Sequence, residues 1–210
     1  MKNLIESWSA KERLSLALVL SGLAVYIATH GAIVTKADVM FADLFHNSAD
    51  LFFILLLWLS LFIRGRYLQI ISKLSGLALL AAGGAATIKA FDTIFEGLKT
   101  GKWPPLEAGF TLLWISLAII VILFVLMLLI GKEHEELHEG SQHHKNIHTA
   151  ARTELIADII QASAGIVEFF ILLALPHHPE FVRGVDILLT VLIGFWMMWR
   201  GNMVIKEHSH

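Results

Sequence analysis

The sequence predicts an all-α, polytopic membrane protein: a bundle of six transmembrane helices with both termini in the cytoplasm. Three observations carry this. Of 210 residues, 56% are hydrophobic and only 16% charged, outside the usual balance of a soluble domain. The apolar residues are grouped into long runs, unlike the single apolar stripe of a surface helix or the alternation of a half-buried strand. Each run has the roughly 20 residues that a helix needs to cross a bilayer.

The elements follow in order. Residues 1–13 are polar and amphipathic, with Trp8 placed as an interfacial anchor, and the run behind them is too long for a signal peptide. The first helix is expected at about 14–34 and the second at about 39–63, with Arg64-Gly65-Arg66 breaking the chain after it. The third, at about 74–98, is rich in small residues, among them Gly76, Ala82, Gly83, Gly84 and Ala86. Small residues let membrane helices approach closely, either across an oligomer interface or within one bundle. The stretch from Gly101 to Pro105 separates it from a fourth helix at about 106–130. A histidine-rich tract at 131–148 reads as a cytoplasmic loop. A fifth apolar segment covers about 147–175, Pro176 to Pro179 end it, and a sixth helix is expected at about 185–205. Residues 1–210 thus form a single transmembrane domain, and no folded C-terminal domain is expected after the sixth helix.

Orientation comes from the basic residues. With both termini inside, the cytoplasmic side holds Lys2, Lys11, Arg13, Arg64, Arg66, Lys73, Lys132, Lys145, Arg152, Arg200 and Lys206. The other side holds Lys36, Lys99, Lys102 and Arg183, and Lys89 falls within the third helix.

With no cysteine, disulfide frameworks and thiolate metal sites are excluded, so any metal must be held by imidazole and carboxylate. A net charge of −2 gives no footprint for nucleic acid. No prosthetic group is implied, and no enzyme motif stands up. His134-Glu135-Glu136-Leu137-His138 formally matches H-E-x-x-H, yet a tract this rich in His and Glu produces that match by chance, and no third-ligand motif follows.

The residues that carry chemistry are paired. In the second helix, His46 and Asp50 lie four apart and share a helix face. A carboxylate at membrane depth costs about 2.5–3.5 kcal/mol on insertion scales, so such residues usually mark an ion or proton path. In the fifth helix, Glu154 and Asp158 repeat the spacing. Two helices each presenting an i, i+4 pair can enclose one four-coordinate cation. Three carboxylates and one imidazole suit Zn²⁺, and also Mn²⁺, Fe²⁺ or Co²⁺. Asp43 and Gln161 sit where they could support these ligands from behind.

For the two pairs to meet, they must share one depth. From Ser48 to Ile63 is about 22 Å of helix, whereas from Ile156 back to Ile147 is only about 13 Å. The fifth helix is therefore expected to continue inward through His148 and His144, to about 142.

At these residues the chain resembles the cation diffusion facilitators, divalent-metal/proton antiporters with six transmembrane helices. Ala42-Asp43-Leu44-Phe45-His46-Asn47-Ser48-Ala49-Asp50 resembles that family's A-D-x-x-H-x-x-x-D motif. The stretch from Glu154 to Ile166 is similar to its fifth-helix motif, with Glu154 where histidine is usual in zinc carriers. Phe95-Glu96-Gly97-Leu98 and Val185-Asp186-Ile187-Leu188 resemble the family's third-helix end and sixth-helix start. The resemblance implies a metal/proton antiporter working by alternating access. His46, Asp50, Glu154 and Asp158 would hold the cation, Zn²⁺ first because His46 is retained, with Mn²⁺ and Fe²⁺ favoured by the hard oxygen of Glu154. It also implies a homodimer, with the third helix as its candidate interface, in a prokaryotic inner membrane. The C-terminal domain usual in the family is not expected here. That departure leaves open a second reading, a non-transporting membrane metal-binding scaffold or the partner subunit of a transporter.

Between the fourth and fifth helices stand His134, His138, His143, His144 and His148. In the resembled family a loop of this kind gathers metal at the inner mouth, and the neighbouring glutamates would draw in divalent cations. Elsewhere, His30, Asp38 and Asp43 could line a release path. Lys89, Asp92 and Glu96 could neutralise one another along the third helix. Trp103, Trp196 and Trp199 suit the membrane interface or lipid.

Overall fold

The computed structural model describes residues 8–60, 62, 68–103, 106, 109–137, 158–159 and 161–207. Among the described residues are six helices and no strand: α1 (Ala10–Thr35), α2 (Asp38–Ser60), α3 (Leu68–Thr100), α4 (Gly109–Leu137), α5 (Gln161–Ala174) and α6 (Pro179–Glu207). Asp158 and Ile159, just ahead of α5, are helical as well. All but α5 are long and apolar enough to cross a membrane over their described residues. Large apolar side chains such as Val19, Tyr26, Ile88, Phe95, Leu188 and Phe195 face outward, as a lipid-facing surface requires. The chain is an all-helical, multi-pass membrane bundle.

Local chemistry sets the ends. Ser9 starts α1 with a capping box: its side chain accepts from the Glu12 N–H, and the Glu12 carboxylate accepts from the Ser9 N–H at 2.7 Å. At the other end Lys36 takes a left-handed conformation (φ 55°) and its N–H closes onto Ala32 O. α2 begins two residues later. Its first N–H groups are satisfied from another helix: the Asp186 carboxylate accepts from Asp38 N at 2.9 Å and from Val39 N at 2.8 Å. A carboxylate at a helix N-terminus also meets the positive end of the helix dipole.

Several boundaries differ from those expected. α6 starts at Pro179 rather than near 185. Proline is pre-organised for the first helical turn, and Arg183, which hydropathy places outside the membrane, is buried at 2% exposure and paired with Asp186. α4 runs to Leu137, so residues 131–137 of the tract expected as a loop are helical. α3 begins at Leu68, ahead of the expected 74. α2 is described to Ser60, with Phe62 in a turn closed onto Leu59 O. The expected inward extension of the fifth helix from 142 lies outside the described residues.

Two apolar clusters fill the bundle. One joins α1, α2, α4 and α5 through residues such as Ala24, Ala28, Met40, Leu112, Ile119 and Phe169. The other joins α2, α3 and α6 through Ala49, Leu79, Ala82 and Met197. α2 is common to both, which puts its polar face at the junction.

The most extensive helix pair is α3 with α6, and the small residues of α3 make it possible. A Cβ on Gly83 would lie 2.5 Å from Gly194 O and 2.9 Å from Met197 Cβ, and one on Gly76 would lie 2.8 Å from Gly201 O. These glycines therefore serve packing within the chain, the second of the two uses expected for them. Gly83→Val should cost about 1–3 kcal/mol of stability because backbone must move to admit it. Thermal unfolding in detergent, compared with Gly84→Val where a Cβ meets nothing within 4 Å, reads that difference. Equal stabilities would refute the packing account.

Candidate metal centre

α2 offers Asp43, His46 and Asp50 along one face. The intervening polar residues turn back on their own helix: Asn47 Nδ2 donates to Asp43 O at 2.8 Å, and Ser48 Oγ donates to Leu44 O at 2.7 Å. On the other helix Ser163 Oγ donates to Ile159 O. These hydroxyl and amide groups are satisfied locally.

α5 is drawn close by Gly165, where an added Cβ would collide with Ser116 Oγ on α4 and touch Leu112. Asp158, just ahead of α5, meets α2. His46 Nε2 stands 2.5 Å from Asp158 Oδ1 and 3.4 Å from Asp50 Oδ2. One donor atom from each of His46, Asp50 and Asp158 lies within 4.8 Å of the other two. Donors about 2.0–2.1 Å from a tetrahedral Zn²⁺ are about 3.3 Å apart, so the His46–Asp50 spacing already matches. The shorter His46–Asp158 contact is a hydrogen bond, which a cation would replace by pushing the two groups slightly apart.

Burial makes the set chemically unusual. His46 is 2% exposed and Asp158 3%, while the Asp50 side chain retains 23%. The His46 ring is packed by Trp196 of α6, with centroids 6.5 Å apart. Trp196 was expected at the membrane interface or in lipid. The rotation of α6 set by the Gly83–Gly194 approach turns it inward instead, whereas Trp199 remains 56% exposed. Nδ1 of His46 and both amide atoms of Gln161 have no hydrogen-bond partner among the described residues. Asp43, 5% exposed, lies one turn before His46. The arrangement offers a divalent cation two carboxylates and an imidazole, with a buried amide and a further carboxylate beside them.

Glu154 lies outside the described residues, as do His138, His143, His144 and His148; the backbone of His134 falls in the last turn of α4. His30, considered for a release path, is exposed. Lys89 does not serve Asp92: its Nζ lies 3.5 Å from Asp38 Oδ1 on α2, and Asp92 is exposed. Along α3 itself Lys89 Nζ donates to Thr93 Oγ1 at 3.4 Å, and Asp38 comes within reach because α2 and α3 pack side by side. Sequence inspection did not single out Glu168 or the grouping of Asp38, Arg183 and Asp186. The signal for Glu168 was present, a carboxylate alone in the apolar run Ala164 to Leu175.

In comparisons with known proteins, residues 14–209 match a family model described as the cation efflux transmembrane domain. A search of curated proteins finds no match.

Proposed function

The chain belongs to the cation efflux family, the cation diffusion facilitators, whose members transport divalent cations and are not enzymes; from that premise we propose that it exports Zn²⁺ in exchange for protons by alternating access. The observation that supports this most is the convergence of His46, Asp50 and Asp158 from two helices inside an apolar bundle. Glu154, one turn before Asp158 in sequence, is the fourth donor in this proposal. Ionised carboxylates and a neutral imidazole bind the cation, and protons compete for the same lone pairs, so protonation from the far side releases it. Rocking of helix groups about the site exposes it to each side in turn. His134, His138, His143, His144 and His148 gather the metal on the cytoplasmic side. In this proposal the assembly is a homodimer and its place a prokaryotic inner membrane.

The test is metal uptake into proteoliposomes under an imposed proton gradient, with Zn²⁺, Mn²⁺, Fe²⁺ and Co²⁺ in parallel. Zn²⁺ flux with opposite proton movement is expected. Glu154→His should raise the ratio of Zn²⁺ to Mn²⁺ flux, since it replaces a hard oxygen by a borderline nitrogen. Metal binding by the purified protein without flux would instead favour a non-transporting scaffold.

A further inference from the structure

A second group of buried charges lies away from the metal donors, towards the end of the bundle opposite the start of α1 and the end of α6. Arg183 of α6 is its centre. Its Nη1 donates to Asp186 Oδ2 and to the Lys36 carbonyl, each at 2.9 Å, and its Nη2 stands 3.4 Å from Asp38 Oδ2. Lys89 of α3 reaches the other oxygen of Asp38 at 3.5 Å. Asp186 in turn holds the first N–H groups of α2. The outer ends of α2, α3 and α6, and the link from α1, are thus clasped around one guanidinium.

Glu168 of α5 is the member that does not fit. It is 0% exposed, and neither carboxylate oxygen has a hydrogen-bond partner among the described residues. The charges acting on it are those of Asp186, Arg183 and Asp38. α4 brings no charged residue between Gly109 and Ile130, and His30 of α1 is exposed. The Lys36 side chain on the α1–α2 link is exposed and is not among the charges acting on Glu168. The buried group therefore comprises the carboxyls of Asp38, Asp186 and Glu168 against the cations of Lys89 and Arg183. It is neutral only when one carboxyl holds a proton. An unpaired carboxylate buried in apolar surroundings is so costly that the group neutralises instead. Asp38 and Asp186 have cationic partners, which leaves the proton to Glu168.

The position ties this proton to the helices that carry the metal donors. α5 rises about 15 Å from Asp158 to Glu168, and α2 rises about 18 Å from Asp50 back to Asp38. Both helices thus bear a metal donor at one depth and a member of the clasp at another. We propose that Glu168 is a proton-binding residue, separate from the metal donors, that controls the outer mouth between α2, α5 and α6. With Glu168 protonated the group is neutral and the clasp stays dry and shut. When the mouth opens, the Glu168 carboxyl gives its proton to water of the outer phase and remains as a hydrated carboxylate. Taking a proton back restores neutrality and lets the mouth close. Part of this rests on the transport reading, because the mouth matters only if cargo passes it; the proton itself does not.

The experiment uses the full chain in two measurements that need no transport. Infrared spectra of the metal-free protein at neutral pH should contain the C=O band of a protonated carboxyl that both Glu168→Gln and Glu168→Met abolish. Because the protein has no cysteine, Thr190→Cys supplies a single thiol at a site that is 0% exposed, one turn beyond Asp186. Its alkylation by a membrane-impermeant maleimide, corrected for thiol ionisation with the unfolded chain, should rise with pH while Glu168 is present. In Glu168→Gln it should be slow and lose that pH dependence. An unchanged carboxyl band in both variants overturns the proposal. So does a lost band with unaltered pH dependence of labelling, which would mean a fixed structural proton. If both readouts behave as expected while liposomes show no metal flux, the transport reading fails and the proton site stands.

Discussion

Asp158→Ala is expected to abolish metal flux and to weaken Zn²⁺ binding by at least about 100-fold, the upper end of what loss of a supporting group alone causes at metal sites. The reason is geometric. Asp158 is the described α5 group that reaches α2, and its carboxylate lies closest to His46 Nε2. Without it, the described donors fall to His46 and Asp50, a pair on one helix, and Glu154 alone would have to close the site from the fifth helix. Isothermal titration with Zn²⁺ and proteoliposome flux measure the two effects. Gln161→Ala, which removes an amide rather than a carboxylate, should fall well short of that loss. Undiminished flux in Asp158→Ala, with the protein folded, would remove this residue from the site.

Arg183→Met is expected to cost about 3–5 kcal/mol of stability, the usual result of leaving buried charges without their partner. Methionine keeps much of the length of the side chain, so the loss is one of charge and hydrogen bonding more than packing. The carboxylates of Asp38 and Asp186 would lose their guanidinium, and the Lys36 carbonyl would lose a donor. Arg183→Lys restores the charge but not the planar fork that serves three acceptors, so it should fall between the two. Unfolding in mixed detergent would rank them. An Arg183→Met variant as stable as the parent would show that the clasp contributes nothing to holding α2 and α6 together.

Much of this was legible along the chain. Composition and run length predict a helical membrane bundle because the bilayer demands long apolar segments with all backbone groups satisfied internally. The i, i+4 spacing of His46 with Asp50, and of Glu154 with Asp158, is legible for a similar reason. A helix places such residues on one face whatever surrounds it. His46 meets Asp158 in the structure, while Glu154 and the inward extension of the fifth helix lie outside the described residues. Helix ends were harder to read. Hydropathy alone starts α6 beyond Arg183, because a charge is taken to mark the membrane surface, and only its pairing with Asp38 and Asp186 accounts for its burial.

The division follows from what each kind of information encodes. The sequence by itself determined the class of molecule and the helix face shared by His46 and Asp50, since these depend on one helix and its solvent. Tertiary structure alone decided which faces meet. It turned Lys89 from Asp92 towards Asp38, aimed Trp196 at His46, and enclosed Glu168 beside Arg183 with no partner of its own. Those outcomes depend on the rotation and depth of one helix against another. They are set by features such as the close approach of Gly83 to Gly194 and of Gly165 to Ser116, where the pattern along one helix does not name the helix it meets.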